Sequence, residues 1–209
     1  GNVTTAYNST LQRYEGKFNA NAANYLRKNL AAEPSILNQM GDGYAWEVYC
    51  RVPNTTPGSV RPIGYEMSSY GGGLHLRNAE QHLAWQTFTS GYNSGGTYEK
   101  PGWRWVYSEL PVNYTHYIAV YDRKSGRSSF YENGVLVDNH PITRKEGEAF
   151  VWAPGAWVAV GGNATNWYRA NLNCSSPFNG DIAIARFWGK PLTAADVNSL
   201  YTAASTTSQ

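Results

Sequence analysis

The sequence predicts an all-β domain in which two antiparallel sheets stack as a β-sandwich and one short helix closes the chain. Short segments that alternate apolar and polar residues recur along its length, which is typical of strands with one buried face. The 209 residues include 21 Gly, 16 Tyr and 8 Trp, and this composition favours strands and turns over helices. No internal repeat or boundary divides the chain, so one domain is expected.

The clearest strand pattern lies at 44–52, with the sequence YAWEVYCRV. Its even-numbered residues are apolar, whereas its odd-numbered residues include Glu47 and Arg51. Successive side chains of a strand point to opposite faces, so the two sets separate. The same reasoning predicts strands, in chain order, within 17–29, 71–78, 82–90, 103–110, 116–138, 156–163 and 179–189.

Residues 116–138, HYIAVYDRKSGRSSFYENGVLVD, predict three strands joined by two turns. The segment RKSGR reverses the chain after Asp122. Asn133-Gly134 then suits a two-residue hairpin turn, because both central residues of such a turn have positive φ.

One helix is predicted near the C-terminus, in PLTAADVNSLYTAA. Thr193 is a suitable N-cap, and Asp196 is placed to return the hydrogen bond. Leu192 and Val197 are spaced to pack across the first turn, and Leu200 continues the apolar stripe. We expect the helix to cover an edge or end of a sheet.

The two ends of the chain, 1–16 and 202–209, are polar and are predicted to be linkers or extensions,. The folded module is therefore placed at 17–201, as a segment of a longer protein. The formal net charge is +2, and no basic run or long apolar run is present, so nothing indicates a nucleic-acid partner or a membrane span. Cys50 and Cys174 are compatible with two buried thiols or with one disulfide.

Three segments resemble the laminin G-like, concanavalin A-like jelly-roll modules. GYAWEVYCRV is similar to an early strand of that family, and YTHYIAVYDRKSGRSSFYENGVLV to its central signature. VAVGGN followed by PFNGDIAIARFWGKPLTAADVNSLY is similar to its ending. The resemblance covers roughly residues 17–201 and is strongest to modules appended to secreted bacterial hydrolases and phosphoesterases. It implies a jelly-roll sandwich in a secreted, periplasmic or cell-surface protein.

Catalytic signatures are missing from the sequence. Related jelly-roll enzymes that cut β-glucans carry two Glu flanking an Asp on one strand, and no such motif occurs here. Glu146 and Glu148 follow a Pro-containing turn and are read as a solvated loop. No Gly-x-Ser-x-Gly elbow is present, and the four His have no zinc-ligand spacing,. The chain is therefore predicted not to be an enzyme, with a divergent glycoside hydrolase as the less favoured alternative.

The resemblance also raises the question of calcium. Many members of this fold bind Ca²⁺ through backbone oxygens and an Asp in the final strand. The matching position here is Ala183, which removes the best ligand of a hard cation,. Asp181, two residues earlier, is the candidate replacement; otherwise no metal or cofactor is predicted.

Aromatic side chains are the candidates for sugar binding, because pyranose rings stack on aromatic faces and their hydroxyls suit polar neighbours. Trp167 and Tyr168 lie with Arg169 in a polar loop, NATNWYRAN, where apolar rings need a reason,. For the tryptophans on strands, the alternative to sugar binding is a place in the sandwich core. For Trp167 and Tyr168, the alternative is that their rings anchor the loop on the core. The candidate ligand-binding residues are Trp167, Tyr168, Arg169, Trp85, Trp103, Trp105 and Trp152.

The sequence thus predicts a non-catalytic, lectin-like carbohydrate-binding module of a larger secreted or cell-surface bacterial protein. The function rests largely on analogy of fold. The alternative is a protein-interaction or structural module that docks on a neighbouring catalytic domain.

Overall fold

The computed structural model describes residues 3–19, 26–29, 42–52, 59–67, 70–77, 82–86, 104–107, 110–141, 157–162 and 177–206. Within these ranges the chain forms strands and, at its end, the helix α1 (Ala194–Ser205). In chain order the strands are β1 (Thr4–Asn8), β2 (Arg13–Asn19), β3 (Leu26–Asn29), β4 (Gly43–Arg51), β5 (Ser59–Met67), β6 (Tyr70–Arg77), β7 (His82–Gln86), β8 (Arg104–Tyr107), β9 (Thr115–Asp122), β10 (Arg127–Glu132), β11 (Val135–Pro141), β12 (Trp157–Val160) and β13 (Asn179–Trp188).

The strands build two antiparallel sheets, as the sequence predicts. The seven-stranded sheet has the order β1-β2-β13-β4-β9-β10-β11, and the six-stranded sheet has the order β3-β12-β5-β6-β7-β8. β13, the last strand of the chain, lies between β2 and β4. Residues from the N-terminal, middle and C-terminal parts of the sequence therefore meet on adjacent strands of the larger sheet.

The core lies between the sheets, and β4 shows how the sequence places it there. Its even-numbered side chains, among them Trp46, Val48 and Cys50, are fully buried in the central cluster. Full burial of a large apolar side chain contributes about 1.5–3 kcal/mol. Cys50 is a free thiol in this cluster, and burial raises its pKa. Cys174 lies outside the described residues.

The hairpin turn predicted at Asn133-Gly134 is confirmed. Asn133 has φ 50° and Gly134 has φ 77°, and the turn joins Glu132 directly to its partner Val135. Asn133 is also bonded to β9: its backbone N–H donates to the carbonyl of His116 at 2.8 Å, and its side-chain oxygen accepts from the His116 N–H at 3.0 Å. The turn therefore closes the β10–β11 hairpin, and its hydrogen bonds to His116 attach the hairpin to β9.

Helix α1 begins at the predicted N-cap and continues past the predicted boundary of the module at residue 201. Thr193 is the N-cap, and Asp196 completes the capping box. The helix continues to Ser205, so residues 202–205 are not part of a tail. The reason is packing: Ala204 is buried against Leu11 and Tyr49 on the outer face of the seven-stranded sheet. Within the described part of the chain, no helix is long and apolar enough to span a membrane.

The prediction of a linker at 1–16 is wrong for the described residues of that segment. β1 and β2 form an antiparallel hairpin at the edge of the seven-stranded sheet. The side chain of Asn8 organises the turn by accepting from the N–H groups of Thr10 and Leu11, each at 3.0 Å. An edge hairpin exposes many polar side chains, so its composition resembles that of a linker.

Replacing Gly134 with Ala is expected to destabilise the fold by about 2–3 kcal/mol. The residue keeps a positive φ of 77°, and a Cβ there would lie 2.9 Å from Tyr201 Cδ1, so backbone strain and crowding add. Gly126→Ala is the matched control, because Gly126 has φ 68° but its Cβ would meet nothing within 4 Å. Urea unfolding should show a loss of about 1–2 kcal/mol for the control. Equal losses of stability in the two variants would contradict crowding between a Cβ at residue 134 and Tyr201 of α1.

Candidate functional site

Trp85 is a core residue in the structure. It is 0% exposed, with its ring stacked 5.1 Å from Phe130 and 5.2 Å from the ring of His140. A sugar needs an open aromatic face, so this ring does not serve as a stacking platform. Of the readings that the sequence left open for the strand tryptophans, Trp85 takes the core.

The other predicted sugar-binding residues stay predictions. Trp105 belongs to β8, but its side chain lies outside the described part of the structure. The described residues do not include Trp103, Trp152, Trp167, Tyr168 or Arg169. Glu146 and Glu148 also lie outside them.

The outer face of the seven-stranded sheet carries a group of four polar and aromatic side chains that we call the buried acid cluster: Glu47, His116, Arg186 and Trp188. Glu47 is fully buried. His116 Nε2 lies 3.0 Å from Glu47 Oε1. Arg186 Nη1 donates to both carboxylate oxygens at 3.2 Å, and Trp188 Nε1 donates to Oε2 at 3.3 Å. The carboxylate is thus bonded from β9 and from β13, the two strands that flank β4.

Helix α1 covers this cluster. The ring of Tyr201 stacks on His116 with 6.0 Å between centroids, and Val197 packs with Ile118 and Val120 of β9. A buried carboxylate is stable only where donors satisfy it, and here they do. Glu47 is fully buried and its oxygens are bonded within the cluster, so these contacts join β4 to β9 and β13.

A second group lies on the same face, beyond the end of α1, and we call it the charged row: Lys17, Asp181 and Arg51. The three residues are direct cross-strand partners on β2, β13 and β4. Lys17 Nζ lies 3.0 Å from Asp181 Oδ1, and Arg51 Nε donates to Asp181 Oδ2 at 2.8 Å. Opposite charges on adjacent strands of one face stabilise the sheet and fix these side chains.

Glu15, two residues before Lys17 on β2, helps to hold the charged row. Its carboxylate is buried and accepts from Lys17, from the hydroxyl of Tyr114 and from Asn8 Nδ2, the last at 2.8 Å. The guanidinium of Arg51 lies over the Tyr114 ring, with Cζ 5.0 Å from the centroid. The row is therefore held in place on both sides.

These contacts change the acidities of the groups. Burial acts to raise the pKa of Glu15, but the hydrogen bonds from Lys17, Tyr114 and Asn8 outweigh it and the pKa is lowered. Burial likewise acts to lower the pKa of Lys17, yet its bonds to Glu15 and Asp181 raise it. The hydrogen bond to Asp181 raises the pKa of Arg51 despite some burial. All three groups stay charged at neutral pH.

A cleft of about 420 Å³ opens beside the charged row. This volume falls within the range of about 300–1,000 Å³ that is usual for ligand sites. The described lining of the cleft combines charged and polar residues with apolar ones: Lys17, Phe18, Arg51, Val52, Val112, Asn179, Gly180 and Asp181. Such a mixture suits a ligand with hydroxyl groups and an apolar ring face.

A smaller and more apolar cleft of about 300 Å³ lies near the β1–β2 hairpin, lined in part by Tyr14, Leu26 and Val160. Tyr7 and Tyr14 beside it are 56% and 70% exposed, and their rings meet edge to face 5.4 Å apart. Few polar groups converge here, so the cleft beside the charged row is the better candidate site.

The surroundings of Asp181 do not fit a calcium ion. Both carboxylate oxygens are bonded to cationic side chains, one to Lys17 and one to Arg51. A hard dication needs several oxygen ligands and would be repelled by the two cations. Ala183 lies at a bulge, where the register shifts between Ile182 and Ile184. Within the described ranges, no group of three or more metal-ligating side chains occurs.

Sequence reasoning did not single out Lys17, Arg51, Asn179 or Glu47 as site residues. A usable signal existed for two of them. Glu47 and Arg51 are charged residues on the odd-numbered face of a strand whose other face is wholly apolar, so that face had to meet either solvent or partners. Lys17 and Asn179 gave no comparable signal.

Glu15→Gln is expected to destabilise the fold by about 1–2 kcal/mol at pH 7, since it weakens three hydrogen bonds to a buried acceptor. The folded pKa of Glu15 lies below its usual value of 4.5, so its stabilisation is complete above that pH and is lost as pH falls through the folded pKa. Thermal melts between pH 7 and pH 3 should show a shallower acid decline in the variant. Parallel curves for the two proteins would contradict this role.

The fold is shared with solved structures of low sequence identity. The binding domain of botulinum neurotoxin serotype G has a TM-score of 0.63 and 14% identity, over 96% of this chain and 45% of that one. The binding domain of botulinum neurotoxin DC in complex with SialylT has a TM-score of 0.60 and 14% identity, over 98% and 45%. A Trypanosoma rangeli sialidase in complex with the inhibitor DANA has a TM-score of 0.59 and 11% identity, over 90% and 27%. The chain spans less than half the length of each.

The chain matches no curated protein sequence. A family model, that of the Concanavalin A-like lectin/glucanases superfamily, matches residues 27–198. The match contains the apolar strand β4 and the hairpins of the central segment, the features on which the resemblance in sequence rests. It covers most of the chain, and the two-sheet fold agrees with it. The chain therefore belongs to the concanavalin A-like lectin/glucanase superfamily.

Proposed function

We propose that the chain is a non-catalytic, lectin-like carbohydrate-binding module of a larger secreted, periplasmic or cell-surface bacterial protein. The observation that carries the proposal is the cleft beside the charged row. In a domain of the concanavalin A-like lectin/glucanase superfamily, it presents hydrogen-bonding side chains next to apolar ones. Hydroxyl-rich rings with one apolar face need this combination.

The structural comparisons support the proposal without carrying it. One similar structure is a toxin binding domain in complex with SialylT, and another is a sialidase in complex with the inhibitor DANA. At identities of 14% and 11%, the likeness concerns the fold, and function has to be argued from the site.

The proposal of a non-catalytic module rests on the placement of the carboxylates. Retaining glycoside hydrolysis needs two carboxyl groups about 5–5.5 Å apart in an open site. Among the described lining residues of the cleft, Asp181 is the carboxylate, and both its oxygens are bonded to cations. Glu47 is buried under α1. A divergent glycosidase is therefore the less favoured function.

One observation favours the docking alternative. Val135, Leu136 and Val137 are 66%, 48% and 40% exposed on β11, which is the last strand of the seven-stranded sheet. Consecutive exposed apolar residues on an edge strand are suited to contact with another protein surface. In this second function, β11 would dock on a neighbouring domain of the same protein.

A glycan-array screen of the purified chain, with Trp167→Ala and Leu136→Asp beside it, separates these functions. We expect binding to a defined glycan class, aided by the dense display of the array. Burial of one ring face, on the order of 60–80 Å², contributes about 1.5–2 kcal/mol, so a stacking Trp167 predicts a loss of affinity of roughly ten- to thirtyfold in that variant. Leu136→Asp should bind like the wild type.

Full binding by Trp167→Ala would keep the function and exclude Trp167 from the site, in agreement with binding at the described cleft. Silence of a folded chain on a broad array would contradict carbohydrate binding. Capture of a neighbouring domain that Leu136→Asp abolishes would then favour the docking function.

A further inference from the structure

The side chain of Arg51 is only partly used by its neighbours. Its Nε donates to Asp181 at 2.8 Å, and the guanidinium lies over Tyr114. Within the described residues, the terminal Nη1 and Nη2 have no hydrogen-bond acceptor, although the side chain is 42% exposed at the edge of the cleft. The terminal N–H groups of the guanidinium are therefore held in one orientation and are available to a ligand.

The free polar groups of the cleft are mainly donors. Asp181, the described carboxylate in its lining, already accepts from Lys17 and Arg51. Asn179 also lines the cleft, and its side-chain amide has no partner among the described residues. A planar guanidinium fork with two free N–H groups matches a carboxylate in a bidentate arrangement. A planar group with two acceptor oxygens, such as a carboxylate, therefore fits these donors better than a neutral hydroxyl does.

Apolar residues also line the cleft. Val112 is 45% exposed, and the buried Val52 and Phe18 lie beside it in the lining. A carboxylate-bearing pyranose has a charged group at one side of the ring and an apolar ring face, so it offers partners to both kinds of lining residue. The cleft volume of about 420 Å³ also limits the site to a ligand of small size, such as a terminal sugar.

We propose that this cleft binds the carboxylate of an acidic saccharide, a uronate or a sialic acid, between Arg51 and Asn179. The inference rests on the proposed function and specifies its ligand class. Arg51 holds the carboxylate through Nη1 and Nη2, Asn179 donates a further hydrogen bond, and Val112 packs on the ring. Asp181 and Tyr114 act as positioning residues that hold the guanidinium.

The test is calorimetric titration of the full chain with two matched pairs of saccharides. The pairs are 3′-sialyllactose against its methyl ester and tri-galacturonate against its methyl ester, so the members of each pair differ only in the esterification of the carboxylate. The acidic member of at least one pair is expected to bind about tenfold or more tightly than its neutral partner. The preference should weaken as the salt concentration rises, because the site is half-exposed.

Arg51→Gln and Arg127→Gln are matched variants, since each removes one positive charge. Arg127 is exposed on β10, where it bonds to Asn139. We expect Arg51→Gln to abolish the acid preference and Arg127→Gln to keep it. Asn179→Ala leaves the cation pairs intact and should weaken acid binding about threefold to tenfold. If Arg51→Gln fails to fold, Asn179→Ala takes its place as the variant that tests the proposal.

Several results would overturn the inference. Equal binding of acidic and neutral sugars would reject it and leave carbohydrate binding in place. An acid preference that survives Arg51→Gln, or Asn179→Ala where the former does not fold, would locate the carboxylate elsewhere. No binding by either pair would reject an acidic ligand, and silence on the glycan array would reject carbohydrate binding as well.

Discussion

Glu47 lies fully buried on the outer face of the seven-stranded sheet, and a charge in that position must be met by donors. His116, Arg186 and Trp188 meet it, and they come from the two strands that flank β4. Helix α1 then covers the group through Tyr201. The central strands, the C-terminal helix and the buried charge thus form one unit on this sheet face.

Next to this unit on the same face, the neighbouring strands use charge differently. Lys17, Asp181 and Arg51 lie side by side because β2, β13 and β4 are neighbours in fixed register. Their contacts satisfy the carboxylate but leave N–H groups of Arg51 directed at a cleft. One sheet face therefore combines a sealed structural carboxylate with an exposed row of donors suited to a ligand.

Local patterns predicted much of the fold. Alternation placed β4, the Asn133-Gly134 dipeptide marked a turn, and Thr193 with Asp196 marked the start of α1, because each depends on residues close in sequence,. The charged row was not predictable in this way, since Arg51 and Asp181 are 130 positions apart and meet only through sheet register,. Trp85 could not be assigned from sequence either, because an aromatic on a strand suits the core and a sugar platform equally well.

The division of the sheet face into a structural part and a binding part is tested most directly by Glu47→Gln, with both stability and saccharide affinity measured. Removing the buried charge should lower the free energy of unfolding by about 2–3 kcal/mol. Arg186→Gln should cost less, because that side chain is 47% exposed and reaches water. Saccharide affinity of the folded Glu47→Gln protein should equal that of the wild type. Unchanged stability together with lost saccharide binding would place Glu47 in the binding site and contradict the division.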